Sequence, residues 1–297
     1  MVILQTDLPN PFHHGKVRDT YDLGDGLLLM VATDRISAFD VVLPNGIPEK
    51  GVVLSRMSAY WFGKTSHLVP NHLVGMAGDM ATSFPQLAGV PSEVARRAMV
   101  VKRAQRVDIE CIVRGYLAGS AWGEYQAQGT IFGQQAPSGL REGERLPQPI
   151  FTPTTKAETG HDTNMTADEV IALVGKAQSR ELEEKSLLIY NYAHQYALER
   201  GIIIADTKME FGLLGEELII IDELLTPDSS RFWEAASYKP GQSQPNYDKQ
   251  FVRDWLNDAG WDHEPPAPEL PTDIVDKTSQ RYKEAYIRLT GEDNLDK

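Results

Sequence analysis

The residues best placed to do chemistry lie near the middle of the chain, in Asp206-Thr207-Lys208-Met209-Glu210-Phe211-Gly212 and, after a turn, Ile219-Ile220-Ile221-Asp222-Glu223. Asp206, Lys208 and Glu210 alternate along one face of a strand, and Asp222 ends the partner strand. Glu210 and Asp222 can approach each other if the two strands pair as a hairpin. Two converging carboxylates suit a hard cation such as Mg²⁺ that arrives with phosphate oxygens, and Lys208 would offset their charge. A solvent-facing charged strand is the competing reading, but the apolar run Leu218 to Ile221 implies burial.

Five other stretches carry candidate groups. Gly15-Lys16-Val17-Arg18-Asp19 combines a glycine, which lets backbone approach closely, with a lysine point charge suited to phosphate; on composition alone a polar strand start is the favoured reading. Thr33-Asp34-Arg35-Ile36-Ser37-Ala38-Phe39-Asp40 follows a buried-looking strand and could face a cleft, or simply be a loop bonding to its own backbone. In Asp108-Ile109-Glu110-Cys111-Ile112-Val113-Arg114, alternation puts Glu110, Ile112 and Arg114 on one face, and an internal ion pair is the plain alternative. Gly119-Ser120 after it could donate to an anion. Lys156 to Asp162 lies in a long, structure-poor stretch of the kind that is often functional, although a surface loop explains it as well. Thr226-Pro227-Asp228-Ser229-Ser230-Arg231 joins turn chemistry to an arginine fork that fits phosphate or carboxylate; a helix cap is the alternative.

The elements that must position these groups are legible in outline. Lys16 to Asp22 and Leu27 to Ala32 flank a Gly24-Asp25-Gly26 turn and predict a hairpin. A helix is expected from about Ser55, strands over Met99 to Arg103 and Ile109 to Arg114, and a helix capped by Thr166 and Glu169. Further helices are expected over Arg180 to Arg200, Asp248 to Ala259 and Thr272 to Thr290, with Gly260 and Gly291 as left-handed C-caps. Strands over Ile202 to Lys208 and Glu217 to Asp222 form the second hairpin. Strands first, then strands and helices together, predict an α+β fold in two lobes.

Composition sets the frame. The chain has 297 residues, 41% hydrophobic and 24% charged, enough for about two domains. No apolar run approaches the ~18–20 residues of a membrane span, and the N-terminus lacks the pattern of a secretory signal. A lone cysteine, Cys111, precludes an intrachain disulfide. A cytoplasmic protein is expected. A net charge of -13 argues against binding nucleic acid or anionic membranes, while leaving room for small anions at local basic clusters.

Taken in order, GKVRDTYDLGD, ATDRISAFD, GIPEKG, VDIECIVRGYLAGSAW, FTPTTKAE, HDTN, ADTKMEFG and DELLTPDSSRFW resemble the SAICAR (phosphoribosylaminoimidazole-succinocarboxamide) synthetase family from Gly15 to Trp233. The resemblance implies an ATP-dependent ligase that condenses 5-amino-4-carboxyimidazole ribonucleotide with L-aspartate, releasing ADP and phosphate. It implies a two-lobed fold related in shape to protein kinases and ATP-grasp enzymes: a nucleotide-covering, antiparallel β-rich lobe over residues 1–102 and a substrate- and metal-binding lobe with a helical tail over 103–297. Lys16 and Arg18 match the loop covering the ATP phosphates, and adenine is expected against Val101, Lys102, Arg103 and Arg106. Glu210 and Asp222 match Mg²⁺ ligands, and Lys208 a catalytic lysine. Arg114, Ser120 and Arg231 match residues holding the ribotide's 5′-phosphate. Lys156 and Asp162 match a loop over the site; Asp34, Ser37 and Asp40 match a loop facing the imidazole and the aspartate; Glu110 and Asp228 complete the expected substrate contacts. The oligomeric state stays open, with a monomer favoured. A kinase is the competing class, but neither HRD nor DFG occurs, and the carboxylate segments read MEFG and DE. A non-catalytic nucleotide-binding module would not need so many paired basic and acidic motifs.

Overall fold

Alternating apolar residues in the first hundred positions close an antiparallel sheet. In the computed structural model, which describes residues 1–80, 82, 84–156 and 163–295, the chain opens with β1 (Pro11–His14), β2 (Arg18–Gly24) and β3 (Leu27–Ala32). A small hairpin follows, β4 (Arg35–Ala38) and β5 (Val41–Gly46), then helix α1 (Lys50–Thr65). Next come β6 (Leu73–Met76), the short helices α2 (Ala77–Met80) and α3 (Ser92–Ala95), and β7 (Ala98–Lys102). The first sheet has the order β1-β2-β3-β7-β6.

The second sheet uses only later residues. It contains β8 (Gln105–Tyr116), β11 (Arg145–Phe151), β12 (Thr154–Thr155), β13 (Ile202–Leu214), β14 (Glu217–Ile221) and β15 (Ser230–Glu234); between β8 and β11 lie α4 (Ser120–Gln128) and the two-residue strands β9 (Thr130–Ile131) and β10 (Gln134–Gln135). Helices α5 (Ala167–Val174), α6 (Lys176–Leu198), α7 (Gln250–Asp258) and α8 (Thr272–Thr290) complete an α+β fold. Thr166 and Glu169 cap α5 reciprocally, as their spacing predicts. β13 runs well past Lys208 because it is the centre of its sheet: β8 pairs with it from Asp206 to Leu213, β15 from Ile202 to Thr207 and β14 from Glu210 to Leu214.

Two features fix how the sheets meet. The segment before β6 bonds to both of them: His72 N donates to Ile220 O at 3.0 Å, while His72 O accepts Lys102 N at 2.8 Å. The main hydrophobic cluster is also continuous, joining Met30, Val53 and Trp61 to Met209, Phe211 and Phe232. α1 begins five residues earlier than expected, and its first turn is buried. Gly51 permits this: a Cβ there would sit 2.2 Å from Ala32 O, so any side chain would push α1 off β3.

Asp34 is a structural residue, in place of the substrate contact expected for it. Its side chain is fully buried beside Arg97 at 2.7 Å, and its oxygens accept Ile3 N at 2.8 Å and Gly51 N at 2.9 Å. Both partners in this ion pair are sealed from water. Asp34→Ala should therefore cost about 3–5 kcal/mol, the scale of stranding one charge of a buried pair. Urea unfolding measures this; a loss below about 1 kcal/mol, as for an exposed pair, would refute the assignment.

Candidate active site

A cleft of about 1210 Å³ is lined from both sheets and from α7. At one end three strands bring an arginine cluster together. Asp206 on β13 stands opposite Arg114 on β8 and Arg231 on β15. Its Oδ2 accepts Arg114 Nη1 at 3.0 Å and also accepts Arg231 Nη1. Arg114 further donates to Ser120 Oγ and Thr152 Oγ1, each at 3.2 Å. Asp206 holds Arg231 firmly cationic, raising its pKa, whereas burial lowers that of Arg114 against the pull of Asp206. Gly119 has φ +58°, and a Cβ on it would come within 2.2 Å of Arg231 Nη2, so the guanidinium lies directly on glycine backbone. Side chains capable of gripping an anion from several sides are thus fixed on rigid strands and a helix start.

Carboxylates gather at the other end. Glu110 and Glu210 face each other across β8 and β13, and Glu210 is level with Ile221, the residue before Asp222. Lys208 Nζ donates to Glu110 at 2.6 Å, and Lys156 pairs with Glu210. Arg18 crosses from β2 to Asp222 at 2.5 Å and Glu223 at 2.6 Å. Burial raises the Glu210 carboxyl, Asp222 raises it further, and Lys156 opposes both. Asp222 is also desolvated, yet Arg18 holds it below its ordinary range. Its φ of 67° places it in left-handed backbone, which aspartate tolerates better than most residues.

These groups fit a magnesium ion that brings its own phosphate oxygens. Mg²⁺ is usually held by one or two carboxylates plus phosphates and water. Glu210 and Asp222 supply that number, and the charge of Asp222 adds to the upward push that burial gives Glu210. Among the described residues no group of three or more His, Cys, Asp or Glu could cage a metal alone.

α7 forms a third wall that sequence reasoning did not single out. Lys249, Arg253 and Asn257 are spaced four apart and all line the cleft. Lys249 lies 3.4 Å from Asp228, which also accepts Lys50 Nζ at 2.7 Å and Tyr282 Oη at 2.7 Å. Burial lowers the Lys249 ammonium to about 8, although Asp228 opposes it. Asp228 is itself desolvated, but the two lysines keep it well below the usual carboxylate range. The i, i+4 pattern Lys249/Arg253 after Asp248 was the available signal; the apolar periodicity of the helix masked it.

Of the other expected residues, Lys16, Ser37, Asp40 and Arg106 line the cleft, with Lys16 paired to Asp40 at 2.6 Å. Phe39 and Asp40, at the tip between β4 and β5, both have positive φ, 51° and 65°, so the hairpin turns back sharply at the cleft's edge. The side chains of Val101, Lys102 and Arg103 lie elsewhere. Val101 is wholly within the core, Lys102 is exposed, and Arg103 stacks 4.7 Å from the Phe12 ring and pairs with Asp22. β7 explains this: alternation turns Val101 inward and Lys102 to solvent. Asp162 falls outside the described residues.

Comparison with known proteins identifies the family. A sequence model described as SAICAR synthetase matches residues 11–268. A phosphoribosylaminoimidazole-succinocarboxamide synthase of Thermodesulfovibrio yellowstonii is 52% identical over 98% of this chain and 99% of its own. The structure of a Saccharomyces cerevisiae SAICAR synthase complexed with SAICAR superposes with a TM-score of 0.88 at 45% identity, covering 98% of each chain. A type-2 SAICAR synthetase in complex with ADP shares the fold at 24% identity, with a TM-score of 0.70 over 94% of this chain and 97% of that one. The chain therefore belongs to the SAICAR synthetase family, ATP-dependent ligases that join L-aspartate to a carboxylated aminoimidazole ribotide in purine biosynthesis.

Proposed function

We propose that the ligation runs along β13, with the ribotide's 5′-phosphate at Arg114, Ser120 and Arg231 and its carboxylate near Glu210 and Asp222. The observation that carries this reading is the strand register. Asp206 and Glu210 are four residues apart on one strand face, about 13 Å, which leaves room between the two ends for a ribose and an imidazole ring. Residues 1–102 cover the nucleotide in this scheme and residues 103–297 hold the substrates. Lys16 and Arg18 face the ATP phosphates, and Arg106 lies on the adenine side.

A carboxylate is a poor acyl donor because its oxygen leaves badly. ATP corrects this in two displacements. One oxygen of the ribotide carboxylate attacks the γ-phosphorus and the P–O bond to ADP breaks, with ADP as the leaving group. The aspartate amine then attacks the acyl carbon, the C–O bond to phosphate breaks, the amine loses a proton, and inorganic phosphate leaves with one former carboxylate oxygen. The protein contributes position and field. The phosphate anchor fixes the far end of the ribotide, so remote binding energy aligns its carboxylate. Lys156 and Lys208 place positive charge beside Glu210 and Glu110, where transferring oxygens would otherwise meet bare carboxylates. Mg²⁺ held by Glu210 and Asp222 supplies neutralisation of phosphoryl charge.

The expected assay result is ADP release that requires both the ribotide and aspartate. In that assay Asp222→Asn and Glu210→Gln should each lower kcat by at least ~10²-fold, the scale of losing a preorganised electrostatic contact. Turnover near wild type at saturating Mg²⁺ would refute their role. Arg231→Lys keeps the charge but loses the fork, and should raise the KM for the ribotide by about 10–150-fold while leaving that for ATP nearly unchanged. A comparable rise for ATP would move Arg231 to the other ligand. With aspartate omitted, ATP labelled in the β,γ-bridge should scramble its label through reversible acyl phosphate formation; without scrambling, and with bound ADP free to rotate, the amine must attack first.

A further inference from the structure

We propose that Arg253 is a third guanidinium on the ribotide's 5′-phosphate, reaching it from α7. The proposal rests on Arg114 and Arg231 being the phosphate's anchors and adds a residue from a different element.

Arg253 lines the cleft and is partly buried. Burial lowers its pKa, and the like charge of Arg231 lowers it next. Asp248, just before α7, accepts the backbone N–H of Phe232, the neighbour of Arg231, at 2.8 Å, which sets the start of α7 at the arginine end of the cleft. The other groups acting on Arg253 are Asp248, Tyr282 and Asp206. None of them makes an ion pair with it among the described residues. Asp206 is engaged by Arg114 and Arg231 through a single oxygen. Asp248 accepts Gln250 N at 2.7 Å through Oδ1 and Phe232 N at 2.8 Å through Oδ2. Burial pushes the Asp248 carboxyl up to about 6, so it is a weak counter-charge. Tyr282 donates its hydroxyl to Asp228. Glu124, which acts on Arg114, has its oxygens taken by Thr130 and the backbone of Phe132 and Gly133. What remains for Arg253 is a 3.5 Å contact with the neutral Gln250 Oε1, one turn back on the same helix.

Three guanidinium groups therefore share a space whose carboxylates are already engaged. Arginine cannot relieve this repulsion by losing its proton. A phosphomonoester can relieve it, because near pH 7 it carries about −1.5 to −2 charges and three acceptor oxygens, matching the excess of forks over carboxylates. A substrate carboxylate brings one charge and two oxygens and would leave a guanidinium over. Arg253 also sits one helical turn beyond Lys249, so α7 would sense the phosphate and reach the middle of the cleft on the same face.

The test is calorimetric titration of the ribotide into the full chain carrying Arg253→Met, Arg253→Gln or Arg253→Lys, with MgADP titrated in parallel. Ribotide affinity should fall about 10–100-fold in the two neutral variants, recover most of that loss in the lysine variant, and leave MgADP affinity unchanged. Equal losses in all three variants would show that Arg253 acts through packing, and a parallel loss of MgADP affinity would show a collapsed cleft. Either result overturns the proposal, as does unaltered ribotide affinity. Arg231→Lys is measured alongside. If it too spares the ribotide, the phosphate anchor itself has been misplaced; if it alone weakens the ribotide, the anchor stands and Arg253 is not part of it.

Discussion

Removing a charged group from water costs several kcal/mol even after a protein relaxes around it, and the central strand β13 carries three such groups on one face. Asp206 and Glu210 are nearly inaccessible, and Lys208 is half-buried between them. Each needs partners, and the partners come from every part of the molecule that meets the cleft. Asp206 draws Arg114 from β8 and Arg231 from β15; Lys208 draws Glu110 from β8; Glu210 draws Lys156 from beyond β12. Arg18 does the same across the sheets, spanning from β2 to Asp222 and Glu223. The architecture of the second sheet is thus tied to a charge ladder that has to be satisfied pair by pair.

The same ladder explains why the cleft is ready for anionic substrates. Most of the cations at each end are paired with carboxylates, so the arginine end and the carboxylate end both hold mixed signs in close contact. Phosphate groups entering such a site find cations held in place by carboxylates, which keeps reorganisation small. The Asp228 network serves this end from behind. Lys50 comes from α1, Tyr282 from α8 and Lys249 from the start of α7, and all three meet on one buried carboxylate. Asp228 is thereby a fastener that presents Lys249 to the cleft.

Much of the fold was legible because its signals are local. The capping box at Thr166, the left-handed Gly291 and the boundaries of α8 all follow from residues a few positions apart. Alternation along β8 and β13 also located most of the cleft-facing charges correctly. What escaped was long-range. Asp34 resembled a cleft residue because polar groups at strand ends often are; its true partner, Arg97, lies far along the chain and seals it inside. Val101 to Arg103 were expected at the nucleotide, but β7 turns one side chain into the core and the next outward. Lys249 and Arg253 carried a readable four-residue spacing, yet nothing local told the cleft face of α7 from a solvated one. The start of α1 was missed because Gly51 looks unfavourable in a helix until the closeness of β3 is known.

The arrangement also bears on what kind of catalyst this can be. Cys111 is fully buried on β8, and burial pushes its thiol well above the ordinary range, so no thiolate is at hand for a covalent route. The cleft instead offers fixed charges at both ends of one strand pair. Strands hold side chains more precisely than loops do, and near-attack geometry is lost with displacements of about 1 Å. In the proposed scheme, building the phosphate anchor and the reacting end on the same β8–β13 ladder makes their separation a property of the backbone, set by register. A side chain at either end can then move only as far as its ion-pair partner allows. Apart from Arg18, which reaches Asp222 from the first sheet, the partners belong to the same two strands or to elements bonded to them, so the hydrogen bonds of the sheet hold most of the distance over which the substrates must be aligned.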